Sequence, residues 1–546
     1  QAAIEARIDR LTAPAKRTLN AASVVGAHFG ADLLAALGLD PVFDELLSVE
    51  LIDQVRFTPG AEYAFRHPLI RAVAYESQLK SDRAQWHRRL ATAIQERGPG
   101  SVEDNAALVA EHLEAAGELR AAYGWHMRAA AWSTNRDLDA ARLSWERARL
   151  IADRLPDDPD RLSMRIAPRT MLCATDWLGR AADESRGRFA ELQELCSAAG
   201  DNVSLAIGMS GLAAELLYTG SSQGSRLASE QMALLESIGD PTLTVGLAFV
   251  AFANWFSVGE FGEILRWSQT IIDLAGGDPA MGAGFGMGSP LAIALTFRGV
   301  ARWWLGRPAW QQDLQDAIAM ARNSDPATLG LVVTWTYGLA IQYGVLRADD
   351  SALHAIEEAV ETAQRASGDI ALIFAEYTLG AALLGRDTAA DRPRGLELTV
   401  QARGWQRERM PSLVPVTELL VAQERARRGD RDAAIAVMRQ AVDDLHQAGR
   451  LGYGVWGTGI LAESLLNRGT DGDLAEAQQA IDRLASLSDD GSAMREITLL
   501  RLRALLARAC GDEVTYRDLV SRYRAMAESF GFEGHIDWAE SMAAET

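Results

Sequence analysis

Punctuation recurs along this chain at near-regular intervals, and that recurrence limits its fold more than any other feature. Gly200-Asp201, Gly239-Asp240 and Gly277-Asp278 lie 39 and 38 residues apart, measured between aspartates. Asn323-Ser324-Asp325 and Ser367-Gly368-Asp369 continue the series at spacings of 47 and 44 residues. Proline follows Asp240, Asp278 and Asp325. A glycine suits the left-handed end of one helix, an aspartate caps the next, and a proline fits its first turn. Each interval has room for two helices. Positions 205, 209, 212, 213, 216 and 217 put Leu, Met, Leu, Ala, Leu and Leu on one helical face, and 434, 437, 438, 441 and 445 do the same with Ala, Val, Met, Ala and Leu. A repeated pair of helices predicts an all-α, tetratricopeptide-like (TPR-like) solenoid. Over residues 99–546 it amounts to about 11 helix pairs of degenerate register.

Residues 1–98 read differently. Helices are expected over 3–10 and 13–25, with shorter ones near 31–37 and 42–49. Two alternating runs, 51–57 and 63–66, flank Thr58-Pro59-Gly60 and read as one β-hairpin. Pro68 opens a further helix, and 81–97 forms another. Three helices followed by a hairpin is a winged-helix pattern, so residues 1–98 are read as a small winged-helix connector domain. In a DNA-binding version, the helix near 42–49 would enter the groove. It carries Asp44 and Glu45, is followed by Glu50, and has no arginine or lysine, which disfavours contact with phosphates.

Charge bears on the rest of the chain and leaves the first segment open. The 546-residue chain carries a net charge of −20, nearly all of it after residue 98, because the first segment holds 12 basic and 12 acidic residues. An acidic surface repels nucleic acids and anionic membranes. The chain has 52 arginines but only two lysines, Lys16 and Lys80. Neither follows a glycine, so the Gly-Lys-Ser/Thr element of a P-loop is missing. Cys173, Cys196 and Cys510 form no ligand pattern and read as buried thiols of a cytoplasmic protein. The longest apolar stretch, 246–256, is shorter than the ~18 residues of a membrane span. No signal peptide is recognisable. The opening residue is Gln1, and the expectation is that a longer protein continues upstream.

The stretches Ala6-Arg7-Ile8-Asp9-Arg10-Leu11, Ala22-Ser23-Val24-Val25-Gly26 and Phe65-Arg66-His67-Pro68-Leu69-Ile70-Arg71 resemble the winged-helix segment of large bacterial signalling ATPases. The tail from Ala525 to Glu540, with Phe530-Gly531-Phe532-Glu533-Gly534-His535, is similar to the C-terminus of actinobacterial members. These combine a nucleotide cyclase, an ATPase and TPR-like repeats, or follow the maltose-regulator-like plan. The resemblance implies a sensory or regulatory region whose ATPase or cyclase domains lie upstream. ATP or ADP would then be bound by those domains. It also implies a role for His67, since a winged-helix histidine approaches the β-phosphate in related ATPases. A hairpin-end histidine with a backbone partner fits the same position.

Other candidates rest on residue type. Trp255, Trp304 and Trp335 fall in the middle repeats and are candidates for a ligand groove, although the same spacing fits core packing. Gly282-Ala283-Gly284-Phe285-Gly286-Met287-Gly288-Ser289 lacks the spacing of a dinucleotide loop and reads as a flexible connection between repeats. The remaining histidines are dispersed, with no metal-ligand spacing, and no catalytic constellation stands out. The chain is therefore expected to be a non-enzymatic region that binds a protein or small-molecule ligand and regulates attached domains. The alternative is a stand-alone TPR scaffold or transcriptional regulator.

Overall fold

The computed structural model describes residues 2–544 except 57–59, 97–98, 135, 179–181, 367–368, 387 and 488–490. The expected turn at Thr58-Pro59 and the break at Ser367-Gly368 lie outside the described residues. Two compact units are present: residues 1–172 with 191–204, and residues 173–190 with 205–546.

The first unit begins with helices Ala2–Asp9 and Ala13–Val25, then a three-stranded antiparallel sheet in the order β1-β3-β2. The strands are β1 His28–Gly30, β2 Ile52–Arg56 and β3 Glu62–Phe65. β2 and β3 are the expected hairpin, joined in register at Ile52↔Phe65. β1, only three residues long, was not expected and pairs His28 with Ala64. Between β1 and β2, the helices Ala31–Ala36 and Asp44–Ser48 are short. Pro68–Glu76 and Lys80–Gln95 complete this part. Leu19, Phe29, Leu46 and Ile52 share one apolar core with Val109, Leu113, Ala122 and Ile151, so the core continues past residue 98 into the helices that follow.

In the second unit the helices come in antiparallel pairs. The first members are Asn202–Thr219, Pro241–Val258, Pro290–Trp304, 326–342, Asp369–Gly385, Val414–Arg427, Leu451–Arg468 and Ala493–Ala509. The second members include Phe261–Ala275, Trp310–Ala321 and Asp350–Arg365. This is an all-α helical-repeat array. The Asp240 carboxylate accepts from the amides of Thr242 and Leu243, and Asp325 does the same for Ala327 and Thr328. Gly239 takes φ 72°, the left-handed conformation that ends the preceding helix.

Asp278-Pro279 departs from the pattern. Asp278 accepts from Ala280 in a turn, and the next helix starts eleven residues after Pro279, at Pro290, capped by Ser289. The inserted loop accounts for the longer interval of 47 residues. It is also anchored, contrary to the flexible connection expected. A Cβ on Gly246 would lie 2.6 Å from the Gly282 carbonyl oxygen, so the loop packs directly on the helix backbone. At its other end the Gly288 amide donates to Asp325 Oδ2 at 2.7 Å and to Thr328 Oγ1 at 3.0 Å.

Pro241–Val258 is longer than the apolar stretch read from sequence. Its 18 residues and mean hydropathy of 1.4 suffice by length and composition to cross a membrane, but 72% of it is buried inside this fold. Cys173 and Cys196 are buried as expected, whereas Cys510 is exposed at the end of Ala493–Ala509.

The first members of distant pairs meet. Pro241–Val258 packs on Leu451–Arg468, and Pro290–Trp304 on Ala493–Ala509. A Cβ on Gly452 would sit 2.1 Å from the Phe256 carbonyl oxygen, so only glycine permits this approach. The Tyr343 hydroxyl donates to the Gly452 carbonyl. Trp310 Nε1 donates to the Phe530 carbonyl at 3.2 Å, and His535 N to the Gly344 carbonyl at 2.9 Å. The array therefore curls back on itself, and its interior is filled with side chains.

Candidate functional site

Within the second unit the converging first helices leave an aromatic-walled cavity that opens to solvent. Tyr218 comes from Asn202–Thr219, Phe249 and Ala253 from Pro241–Val258, and Phe374 and Tyr377 from Asp369–Gly385. Gln406, Leu413 and Val416 close one side, and Arg450 and Tyr453 another.

The 326–342 segment contributes most. Its helix widens to a π-turn over Thr334–Gly338, and Thr334, Trp335 and Gly338 from this turn face the cavity with Gln342 beyond it. π-turns interrupt the i→i−4 ladder and recur at functional sites. Thr334 Oγ1 is occupied by the carbonyls of Gly330 (2.8 Å) and Phe374 (3.2 Å). Gln342 Nε2 donates to the Tyr377 hydroxyl at 2.8 Å.

Arg450 is the one charged residue of the lining. It is 4% exposed. Nη1 donates to the Leu217 carbonyl at 2.9 Å, the guanidinium stands 5.5 Å from the centre of the Tyr453 ring, and Nε is buried with no hydrogen-bond partner. Burial lowers its pKa, against the opposing influence of Tyr453 and Tyr218. Burial raises the phenols of Tyr218, Tyr377 and Tyr453, so all three remain neutral donors near pH 7. Arg169, also buried, is paired with Asp153 and Glu191 at 2.8 Å each, and the half-buried Arg501 with Glu463 at 2.6 Å. A second, wider cavity of about 1460 Å³ lies beyond Gln342 and is lined by polar groups that include Glu463, Asn467, Arg501 and Arg508.

The tryptophans read from sequence separate here. Trp335 lines the cavity and packs edge-to-face on Phe256 with centroids 5.0 Å apart. Trp255 and Trp304 are in the apolar core, 0% and 2% exposed. Trp255 Nε1 donates to Ser229 Oγ at 3.0 Å, and Trp304 stacks on Phe261 at 4.2 Å. His67 lies in the first unit as the exposed N-cap of Pro68–Glu76, its Nδ1 accepting from the Leu69 amide at 3.1 Å. The dispersed histidines conceal a cluster: His87 Nδ1 meets His112 Nδ1 at 3.0 Å, and His87 Nε2 meets the Tyr75 hydroxyl at 3.0 Å. Burial, His112, Arg83 and Arg71 push the His87 imidazole down to about 4.

No protein-family model matches the chain. An uncharacterized protein of Rhizobium meliloti (strain 1021) is 33% identical over 141 residues, which is 24% of this chain and 14% of that protein. Among solved structures, a Signal Transduction ATPase with Numerous Domains from Pyrococcus horikoshii, with a tetratricopeptide repeat sensor, aligns at TM-score 0.42 and 12% identity. That match covers 86% of this chain and 63% of that structure. A Rap protein complexed with competence and sporulation factor aligns at TM-score 0.39 and 12% identity, covering 62% and 96%. Yeast Tom70 aligns at 0.30 and 12%, covering 85% and 93%.

The sequence signals for the cavity were indirect. Pro241–Val258 is apolar on every face, which marks a helix enclosed on all sides. Glycines at 449, 452 and 454 flank Arg450, and Gly452 permits close backbone approach. Neither signal places Arg450 beside Leu217, 233 residues away.

Proposed function

We propose that this chain is a ligand-binding, non-catalytic sensor region that regulates domains joined to it, with a TPR-like array as the receptor. The observation that carries the reading is the cavity, lined by helices from six different pairs. An occupant there contacts parts of the chain far apart in sequence, so its binding energy favours one curvature of the array over others. A lone surface groove on one pair would lack that leverage. Within this reading, residues 1–98 act as a winged-helix connector, and His67 faces nucleotide held by an upstream ATPase or cyclase domain. The actinobacterial signalling ATPases remain the model for that arrangement.

Native mass spectrometry of the chain purified from its own source tests the receptor role. The expected result is a co-purifying small molecule that disappears in Ala253→Trp, a substitution that fills the cavity. A chain that carries nothing, and whose Ala253→Trp variant regulates as the wild type does, would end the reading. The upstream partner is tested separately. The gene's reading frame is expected to encode Gly-x-x-x-x-Gly-Lys-Ser/Thr before residue 1; a frame without it leaves the stand-alone scaffold or transcriptional regulator as the better account.

A further inference from the structure

We infer that the central cavity takes a monoanionic carboxylate carrying an aromatic or aliphatic body, with Arg450 as the anchor for the carboxylate. The inference rests on the receptor reading of the same cavity and adds the chemical class of its occupant.

The first argument is charge. Taking a guanidinium out of water is costly unless an anion and hydrogen bonds compensate. Arg450 has one protein hydrogen bond, to a carbonyl, and a buried Nε with none. No carboxylate is among the cavity's lining residues, and the groups that act on the Arg450 charge are two neutral phenols. An anionic acceptor supplied by an occupant would complete the bonding of this guanidinium. One buried cation balances one negative charge. A phosphate monoester carries close to two at neutral pH, and the lining offers no second cation for it.

The second argument is shape and chemistry around that charge. A guanidinium presents a planar fork of donors that matches a carboxylate's two oxygens. Tyr218 and Tyr453 lie on the same lining, and both phenols are near enough to act on the Arg450 charge. Both can donate to a carboxylate oxygen. The opposite walls, Phe249, Leu331, Trp335 and Phe374, are apolar and suit a ring or a chain of methylenes. A peptide of several residues would need a continuous groove instead.

Calorimetric titration of the whole chain tests this with matched pairs: indole-3-propionate against its primary amide, octanoate against octanamide, and phenyl phosphate as the dianion. At least one acid is expected to bind about tenfold or more tightly than its amide, because a charge-assisted bidentate pair replaces a neutral contact. Arg450→Met should abolish the preference, and Arg450→Lys should keep part of it. Arg450→Met also loses the bond to Leu217, so its fold is checked by circular dichroism. The wild-type comparison needs no variant. Acid and amide binding equally would overturn the carboxylate assignment and leave the receptor reading standing. Phenyl phosphate binding more tightly than both acids would overturn the single-charge argument. No binding by any probe would overturn this inference and count against the receptor role as well.

Discussion

The two helices of a repeat pair bury themselves differently. Phe261–Ala275 buries one stripe, Phe261, Ile264, Trp267, Ser268, Ile271 and Ala275, and leaves the rest to solvent. Its partner Pro241–Val258 buries Val245, Leu247, Ala248, Phe252 and Trp255 among others, on every side. Asp350–Arg365 repeats the single stripe, and Pro290–Trp304 the enclosed pattern. A helix with one apolar stripe needs one neighbour; a helix apolar all round needs a complete shell. Neighbouring helices form most of that shell, and a first helix from a pair far along the chain completes it. Enclosure, rather than pairing alone, is what creates a cavity and isolates Arg450 from water.

That contrast can be broken in order of expected effect. Phe297→Ala, in an enclosed helix, should cost about 3–5 kcal/mol in denaturant unfolding, the range for removing a fully buried aromatic. Acid should loosen the closure at the terminal helix. His535 is held at about 3 by burial and by the nearby Arg501, and its Nε2 is buried without a partner. Because its folded pKa lies below the ordinary 6.5, the unfolded chain binds the proton more readily. The stability it contributes is complete above about 6.5 and falls as pH drops toward about 3. Hydrogen exchange at 343–347 and 533–544 should accelerate over that window, and His535→Gln should flatten the response.

Gly452→Ala tests the contact between distant pairs directly. Its methyl group would press on the Phe256 carbonyl, and a loss of about 1–3 kcal/mol is expected from the forced shift. Asp325→Ala removes a cap and the anchor of the glycine loop together. Burial opposes ionisation of Asp325, but hydrogen bonds from Thr328 and Gly288 outweigh it and hold the carboxyl below its ordinary value. The substitution should cost about 1–2 kcal/mol, with faster exchange at Gly288. Leu274→Ala, on the exposed side of a single-stripe helix, should change the unfolding free energy by no more than about 0.5 kcal/mol. Equal losses for Phe297→Ala and Leu274→Ala would erase the distinction between the two kinds of helix.

Local chemistry was legible before any coordinates. The caps at Asp240 and Asp325, the left-handed Gly239 and the β2–β3 hairpin all depend on neighbours within a few residues. Asp278-Pro279 looked identical to them, yet no helix follows it, because the apolar face that would dock one begins only at Pro290. The cavity was not legible. Trp255, Trp304 and Trp335 share the same helical environment in sequence, and only the curl of the array sends two into the core and one to the cavity. Curvature accumulates from small angles between successive pairs, and no short motif records that sum. β1 escaped notice because three residues carry no period.

The π-turn at Thr334–Gly338 has a consequence for register. An α-helix advances about 100° per residue, so one extra residue in a turn rotates everything after it by that angle. Leu331 enters the cavity from before the widening, Thr334, Trp335 and Gly338 from within it, and Leu339 and Gln342 from after it. The same helix thus aims two successive faces at one point. Deleting Thr336 or Tyr337, which do not line the cavity, would restore a regular spiral and swing Gln342 away from Tyr377, changing the cavity wall from behind it.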